Sequence, residues 1–293
     1  MPSNNSIGFI GLGVMGKSMA QNLMNAGYQL NIYTRTKEKG QSLLDKGAKW
    51  RETPKDVAEH SSIVITMVGY PSDVEVIYFG EDGILQGAKK GSYLIDMTTS
   101  TPTLAQKIYG QAKEQYLFAL DAPVSGGDIG AQNGTLTIMV GGEETAFREM
   151  KPIFEVLGKN IEYQGLAGAG QHTKMCNQIT IASNMVGVCE ALIYAKKSGL
   201  QLHNVLKSIS SGAAGSWSLS NLAPRITEGD FEPGFYVKHF IKDMGIALEE
   251  AERMGIDTPG LQLAKKRYDQ LLNMGEGEKG TQALYKLYER ESM

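Results

Sequence analysis

The chain has 293 residues, of which 42% are hydrophobic and 21% charged, so it can bury a sizeable core and its length favours two domains. The net charge is -3 without any block of lysine or arginine, which argues against a nucleic-acid partner and against binding to an acidic lipid surface. The polar opening MPSNNS does not resemble a signal peptide, and no apolar stretch approaches the roughly 20 residues of a membrane span. We therefore expect a cytoplasmic protein without a membrane partner.

Short apolar runs alternate with amphipathic segments from Ile7 to about Gly165. The predicted strands are IGFI, LNIYT, IVITMV, YLIDM, LFALDAPV and TLTIMV. The predicted helices between them include Met15 to Ala26, Lys37 to Lys46, Pro102 to Lys113 and Glu143 to Leu157. Nearly continuous apolar runs suit parallel strands that are covered on both faces. The pattern predicts an α/β domain with a doubly wound sheet over residues 1–165.

The pattern changes after Gly165. The flexible junction GLAGAGQ leads into a helical stretch from Gln171 to about Lys197, which is rich in Ala, Met and Ile and has no proline. Further helices are predicted at about Leu202 to Ile209, Phe240 to Met254, Gly260 to Leu272 and Thr281 to Arg290. Strand-like alternation is lost, so residues 166–293 are predicted to form an all-α domain that begins with a long interdomain helix.

Three glycines follow the first predicted strand. Residues Gly11, Leu12, Gly13, Val14, Met15 and Gly16 fit the pattern G-x-G-x-x-G at the point where the first helix opens. In a dinucleotide site the first glycine allows a tight turn, the second lets a pyrophosphate approach the backbone, and the third permits close helix packing. The alternative is a strand-to-helix turn that binds no phosphate. The position between a strand and a helix favours dinucleotide binding.

The end of the second predicted strand bears on the choice of cofactor. A site that prefers NAD usually has an acidic residue there, to bind the ribose 2′-hydroxyl. This strand ends instead in Thr34, Arg35 and Thr36. A guanidinium with neighbouring hydroxyls suits a 2′-phosphate, so the sequence predicts NADP(H) over NAD(H). The alternative is that Arg35 is a solvated residue at the strand end.

The stretch DAPVSGG ends a strand at the carboxyl edge of the predicted sheet, where ligands bind in such folds. Ser125 offers a hydroxyl, and Gly126 and Gly127 offer unobstructed backbone amides. This combination suits the carboxylate of a small substrate. The alternative is a glycine-rich turn into the next strand.

A polar group of residues lies at the start of the long predicted helix. Lys174, Asn177, Gln178 and Ile181 are spaced i, i+3, i+4 and i+7, so they share one helix face. Burying a lysine and two amides without partners is costly, which indicates a polar cleft with Lys174 as proton donor and acceptor. The alternative is that Lys174 extends from the first helical turn to solvent.

Few other residues have a pattern that indicates chemistry. The adjacent residues Lys242 and Asp243 begin a later helix, where a local ion pair is the simplest interpretation. Cys176 and Cys189 are predicted to lie on different faces of one helix, which disfavours a disulfide. The cysteines and the four histidines, His60, His172, His203 and His239, have no spacing typical of metal ligands, so no metal is predicted.

Taken together, the motifs resemble those of the β-hydroxyacid dehydrogenase family over nearly the whole chain. They are FIGLGVMGKSMAQNL, DMTTSTP, DAPVSGGDIGAQNGTLTIMVGG, GAGQHTKMCNQ and the late Lys-Asp pair, in the family's order. The resemblance implies a Rossmann-type first domain, a helical second domain and an active site in the cleft between them. It also implies that Lys174 is the catalytic acid/base, that Ser125, Gly126 and Gly127 hold the substrate carboxylate, and that Asn177 positions the substrate.

The resemblance assigns further residues. Gln178 stands where many relatives have a second asparagine, so it leaves open which of the two amides contacts the substrate. Val68 would flank the cofactor and Thr99 would lie near the nicotinamide. Lys242 would reach the cofactor or the substrate, with support from Asp243. A homo-oligomer, either a dimer or a tetramer, is typical of the family.

The function that the resemblance implies for these residues is metal-free hydride transfer between NADP(H), with NAD as the alternative cofactor, and a small β-hydroxy acid or aldehyde acid. A lysine with a pKa near 10.4 is a poor base at neutral pH, so Lys174 would need a lowered pKa. Three alternatives are an oxidative decarboxylase of the 6-phosphogluconate type, an imine reductase, although those enzymes generally lack the lysine that this chain has at Lys174, and a non-catalytic dinucleotide-binding scaffold. The substrates 3-hydroxyisobutyrate, tartronate semialdehyde, glyoxylate and succinic semialdehyde all remain open.

Overall fold

The strands of the computed structural model, which describes residues 6–292, all lie in the first part of the chain. They are β1 Ser6–Ile10, β2 Gln29–Tyr33, β3 Lys49–Trp50, β4 Ile63–Thr66, β5 Tyr93–Asp96, β6 Phe118–Asp121, β7 Val124–Ser125, β8 Leu136–Gly142 and β9 Gly158–Gly165. The first five residues of the polar opening segment lie outside the described residues. The chain divides into two units between Lys174 and Met175, inside a helix and after the predicted boundary at Gly165.

Helices connect most of these strands. They are α1 Val14–Asn25, α2 Gln41–Leu44, α3 Pro54–Glu59, α4 Pro71–Phe79, α5 Pro102–Glu114, α6 Gly127–Asn133 and α7 Glu144–Leu157. Local sequence explains how several of them begin. Thr101 accepts a hydrogen bond from the Leu104 amide at the start of α5, and Pro71 occupies the first turn of α4.

The strands form one sheet in the order β3-β2-β1-β4-β5-β6-β8-β7, with β9 beside β8. All pairs from β3 to β6 are parallel, which confirms the predicted doubly wound sheet. The parallel arrangement that nearly continuous apolar runs suit does not extend to β8, which is antiparallel to β6 and β7. The reason is the short connection from β7 to β8, because a parallel crossover needs about a dozen residues or more.

Both faces of the sheet are covered, as the continuous apolar runs predicted. In β4, Ile63 and Ile65 belong to one buried apolar cluster, whereas Val64 between them belongs to another. Successive side chains of a strand point to opposite faces. The first cluster includes Met19 of α1 and the second includes Val74 of α4, so helices pack on both sides.

The second unit contains only helices among its described residues, as predicted. The helix α8 Ala169–Lys197 begins in the first unit and continues into the second. It is followed by α9 Leu202–Ile209, α10 Trp217–Asn221, α11 Ala223–Thr227, α12 Val237–Arg253, α13 Pro259–Asn273 and α14 Leu284–Glu291. A separate apolar core includes Met185, Cys189, Phe240 and Tyr268. Both thiols are free, and that of Cys176 is exposed.

The length of α8 corrects one expectation from the sequence. With 29 residues, it is long and apolar enough to cross a membrane by length and composition, although no segment was expected to reach that limit. Only 44% of its most apolar window is buried in the structure. Core helices of soluble proteins pass the same test, so this one helix is weak evidence for a membrane span.

Candidate functional site

The three glycines after β1 have different reasons to be glycine. Gly11 has a φ of +96°, and a Cβ on it would lie 2.2 Å from the carbonyl oxygen of Met67. A Cβ on Gly16 would lie 2.0 Å from the carbonyl oxygen of Gly11. The fold therefore requires both of these glycines. Gly13 is exposed, has a φ of -74°, and a Cβ on it would meet no atom of residues 6–292 within 4 Å. Neither backbone strain nor packing among these residues explains Gly13.

The start of α1 suits a phosphate group. Within the described residues, no side chain caps this helix at Gly13, and its first turn carries no acidic residue. The first amides of a helix have no partner inside the helix and favour an anion. Leu12 is buried, Met15 packs on the core and Val14 is exposed, so the loop would approach a ligand mainly through its backbone. The residues present fit a dinucleotide pyrophosphate.

The end of β2 places Arg35 beside an acidic residue. The Arg35 side chain is 81% exposed, and its Nη1 lies 3.1 Å from Oδ1 of Asp73, which belongs to the first turn of α4. The Asp73 carboxylate also accepts a hydrogen bond from the Tyr70 amide. Thr34 is half-buried and Thr36 is exposed. Sequence reasoning missed Asp73, because Arg35 and Asp73 are far apart in the chain.

A buried polar chain connects the carboxyl ends of β4 and β5. The Val68 amide donates a hydrogen bond of 3.0 Å to the hydroxyl of Thr98, whose own amide donates to Oδ1 of Asp96. The Thr66 hydroxyl donates to the same carboxylate oxygen at 2.7 Å. Burial, together with the nearby Asp121 charge, raises the pKa of Asp96 to about 6. This chain fixes the backbone at Val68, and it ends one residue before Thr99, which is half-buried.

Asp121, at the end of β6, holds the start of α8. Its carboxylate accepts hydrogen bonds from the backbone amides of Gly168, at 2.8 Å, and Gln171, at 2.9 Å. Burial raises the pKa of Asp121, and these amide hydrogen bonds oppose the rise. The Gln171 side chain accepts from the Ser100 amide and donates to the Thr98 carbonyl. The first turn of α8 is therefore attached to the ends of both β5 and β6.

Lys174 lies one turn further along this anchored helix. The residue is only 6% exposed, so the interpretation that it extends from the first turn into solvent does not describe this structure. Because Gln171 and Lys174 are spaced i and i+3, they share a face of α8. Sequence reasoning missed Asp121 and Gln171 as anchors. The acid at the end of a buried strand was a signal for Asp121.

The Ser-Gly-Gly segment joins β7 to α6. Ser125 ends β7 and is half-buried, while Gly126 and Gly127 have φ values of +129° and +63°. These values favour glycine at both positions. The segment leads into a helix rather than directly into the next strand, in contrast to the alternative of a simple turn.

In the second unit, the predicted polar residues form one connected chain. The Asn177 amide nitrogen donates to Oε1 of Gln178 at 2.7 Å, and Nε2 of Gln178 donates to Oδ2 of Asp243 at 2.5 Å. Nζ of Lys242 lies 2.7 Å from Oδ1 of Asp243. Gln178 is fully buried and Asp243 is 2% exposed, whereas Asn177 is half-buried. The Lys-Asp pair is therefore part of a buried network and not an exposed ion pair.

One cluster among the described residues could hold a cation, although the sequence showed no ligand spacing. The ligand atoms of Asp56, Glu59 and His60 lie within 4.8 Å of one another. Asp56 already contacts His60 at 3.0 Å and Arg51 at 3.8 Å, and exposed clusters of this kind are common without an ion. The carbonyl oxygen of His60 accepts from the hydroxyl of Ser6, at the amino end of β1. The cluster is thus at the opposite end of that strand from the glycine loop.

Two family models match the chain. One, described as the NAD binding domain of 6-phosphogluconate dehydrogenase, matches residues 6–165. The other, described as "NAD-binding of NADP-dependent 3-hydroxyisobutyrate dehydrogenase", matches residues 168–288. Together they cover most of both structural units.

Several known proteins are similar over most of the chain. An uncharacterised oxidoreductase of Bacillus subtilis is 68% identical, over 97% of this chain and 98% of that protein. The probable 3-hydroxyisobutyrate dehydrogenase-like 1 of Arabidopsis thaliana is 50% identical, over 99% and 86%. The 2-hydroxy-3-oxopropionate reductase of Escherichia coli is 42% identical, over 86% of both chains. A structure of Mycobacterium tuberculosis 3-hydroxyisobutyrate dehydrogenase with L-serine has a TM-score of 0.88 and 28% identity, and covers 97% of this chain and 98% of that chain.

Proposed function

Because the chain belongs to the β-hydroxyacid dehydrogenase family, we propose that it transfers hydride between NADP(H) and a small β-hydroxy acid or the corresponding aldehyde acid. The observation that carries the proposal is the placement of Lys174. It is buried on α8, one turn after the segment that Asp121 and Gln171 attach to the sheet. Such anchoring gives a proton-transferring side chain a defined position.

The proposed cofactor site lies at the carboxyl ends of β1, β2 and β4. The pyrophosphate would bind at the exposed backbone amides beside Gly13, where α1 begins. Glycine at this position leaves open the space that the phosphates would occupy, which a side chain would fill. Val68 would flank the cofactor and Thr99 would lie near its nicotinamide. Arg35, with the hydroxyls of Thr34 and Thr36, would bind the 2′-phosphate of NADP(H). When bound, the cofactor supplies or accepts the hydride.

The chain's own residues would bind the substrate and move one proton. The hydroxyl of Ser125 and the amides of Gly126 and Gly127 would hold the carboxylate. In oxidation, Lys174 would accept the proton of the substrate hydroxyl, and in reduction it would return a proton to the carbonyl oxygen. Asn177, one turn after Lys174 on α8, would orient the reacting group. This assignment uses the helix face that the spacing of these residues predicts.

The test measures oxidation of NADPH and of NADH against 2-hydroxy-3-oxopropionate, glyoxylate and succinic semialdehyde, and reduction of NADP⁺ by 3-hydroxyisobutyrate. We expect turnover with at least one of these compounds, at higher kcat/KM with the NADP(H) cofactor. Lys174→Ala should lower kcat by a factor of roughly 100 or more, with little change in cofactor affinity.

The matched control is Lys197→Ala, which removes an exposed lysine from the other end of the same helix. It should retain the turnover of the wild type. Near-normal turnover of Lys174→Ala would contradict the catalytic assignment. Tight NADPH binding without turnover of any compound would favour the scaffold alternative instead.

A further inference from the structure

The hydrogen-bond chain from Asn177 to Asp243 has a direction that chemistry imposes. An ionised carboxylate can only accept hydrogen bonds, whereas a glutamine amide has one accepting end and one donating end. Asp243 therefore requires the NH₂ end of Gln178, and the contact of 2.5 Å places it there. The Gln178 carbonyl oxygen must then face Asn177, so Asn177 has to donate. This leaves the carbonyl oxygen of Asn177 as the acceptor that the residue can offer to a ligand.

Burial makes this orientation strict. Gln178 is fully buried, so water cannot replace a mismatched partner. Turning its amide by half a rotation would set its oxygen against a carboxylate oxygen and its NH₂ group against that of Asn177. Lys242, whose side chain is 13% exposed, forms an ion pair with the other oxygen of Asp243, at 2.7 Å. The Lys242–Asp243 pair thus sets the donor-to-acceptor direction of the hydrogen bonds that run through Gln178 to Asn177.

We propose that Gln178 is a positioning residue and not a substrate contact: it transmits the polarity of the Lys242–Asp243 pair to Asn177, which then presents its carbonyl oxygen to the substrate hydroxyl. This inference rests on the proposed function, in which Asn177 orients the reacting group. It answers which of the two adjacent amides contacts the substrate. Both polar atoms of Gln178 are occupied inside the second unit, whereas the half-buried Asn177 has an oxygen to offer.

The test substitutes Gln178 by a residue whose polarity depends on pH. In Gln178→Glu, a protonated carboxyl group donates its O–H to Asp243 and accepts from Asn177, as the amide does. The ionised form instead sets two carboxylates against each other. Burial and this like charge raise the pKa of such a glutamate above its ordinary value. The ratio of kcat/KM for Gln178→Glu to that of the wild type should therefore rise about tenfold as pH falls from about 8 to about 6.

Gln178→Met is the matched control, because it has a similar length and no titratable group. Its kcat/KM should be low relative to the wild type at every pH. The other charged groups near the network are Lys242, Lys174 one turn earlier on α8, and His239, whose pKa is lowered by burial and by neighbouring lysines. All of them are present in the wild type and in both variants, so the comparison with Gln178→Met isolates the effect of the carboxyl group at position 178. A ratio for Gln178→Glu as flat as that for Gln178→Met would overturn the proposal.

A second variant covers the case in which Gln178→Glu does not fold at higher pH. The exchange Gln178→Glu with Asp243→Asn swaps the amide and the carboxylate, and the carboxylate at position 178 again requires donation from Asn177. This double variant should recover activity relative to Asp243→Asn alone, without the pH dependence of Gln178→Glu. An equally impaired double variant would refute the positioning role. Absence of turnover in the wild type would instead refute the proposed function.

Discussion

Replacing Asp96 by asparagine should stabilise the protein at neutral pH and not at acidic pH. Asp96 is 5% exposed, and its Oδ1 accepts hydrogen bonds from Thr66 and Thr98. Asparagine keeps an oxygen that can accept both bonds, but it does not ionise. Asp96 also pairs in register with Asp121 on β6. Burial is the larger cause of the high cost of ionising Asp96, and the charge of Asp121 adds to it.

The magnitude follows from the pKa of Asp96, which rises from 3.8 to about 6 in the folded protein. A carboxyl group whose pKa is raised on folding contributes stability below its unfolded pKa, and this contribution is lost as pH rises through the folded value. The full loss is about 3 kcal/mol, of which about 2 kcal/mol falls between about pH 4 and pH 8. The variant has no such loss, so its stability relative to the wild type should increase by about that amount over this range.

Urea unfolding followed by circular dichroism at a series of pH values measures this difference. Glu81→Gln is the matched control, because it makes the same change of carboxylate to amide at an exposed position. The control should differ from the wild type by less than about 0.5 kcal/mol throughout. A difference between Asp96→Asn and the wild type that does not change with pH would refute the reasoning from burial.

Four other substitutions test the sites. Gly13→Ala should have the same free energy of unfolding as the wild type, since its Cβ enters open space, but should bind NADPH at least about tenfold more weakly. Gly16→Ala should be destabilised, because its Cβ would lie 2.0 Å from a carbonyl oxygen. Unchanged NADPH binding by Gly13→Ala in a binding titration would argue for a phosphate-free turn. Asp73→Asn removes the negative charge 3.1 Å from Arg35, so KM for NADPH should fall a few-fold while KM for NADH stays constant; equal changes for both cofactors would contradict a role of Arg35 at the 2′-phosphate. Asp121→Asn should lower the free energy of unfolding by about 1–3 kcal/mol and reduce kcat, because asparagine offers one accepting oxygen where the carboxyl group of Asp121 offers two to the amides of Gly168 and Gln171. Unchanged values of both would contradict the anchoring role of Asp121.

Prediction from the sequence succeeded where neighbouring residues contain the necessary information. The apolar run IVITMV indicated β4 because strands buried on both faces have no polar alternation. The strand β9 was missed because most of its side chains are exposed or half-buried and its segment, GKNIEYQG, contains few apolar residues. The helix α6 was missed because it is short and its sequence, GDIGAQN, begins with the glycine expected of a turn.

The features of the candidate site also differ in whether neighbouring residues contain the information that predicts them. The glycine pattern after β1 and the shared helix face of Lys174, Asn177 and Gln178 depend on local geometry, so both could be predicted from the order of the residues alone. It could not distinguish Gly13, which no contact in the described part of the chain requires, from Gly11 and Gly16, which the packing requires.

Only the tertiary structure placed Asp121 at the start of α8, Asp73 beside Arg35, and Asp243 against Gln178. In each case the two partners are far apart in the chain, and their distance depends on how whole elements pack. Local periodicity reports which face a side chain occupies, whereas the identity of its partner is decided by the element that packs against that face.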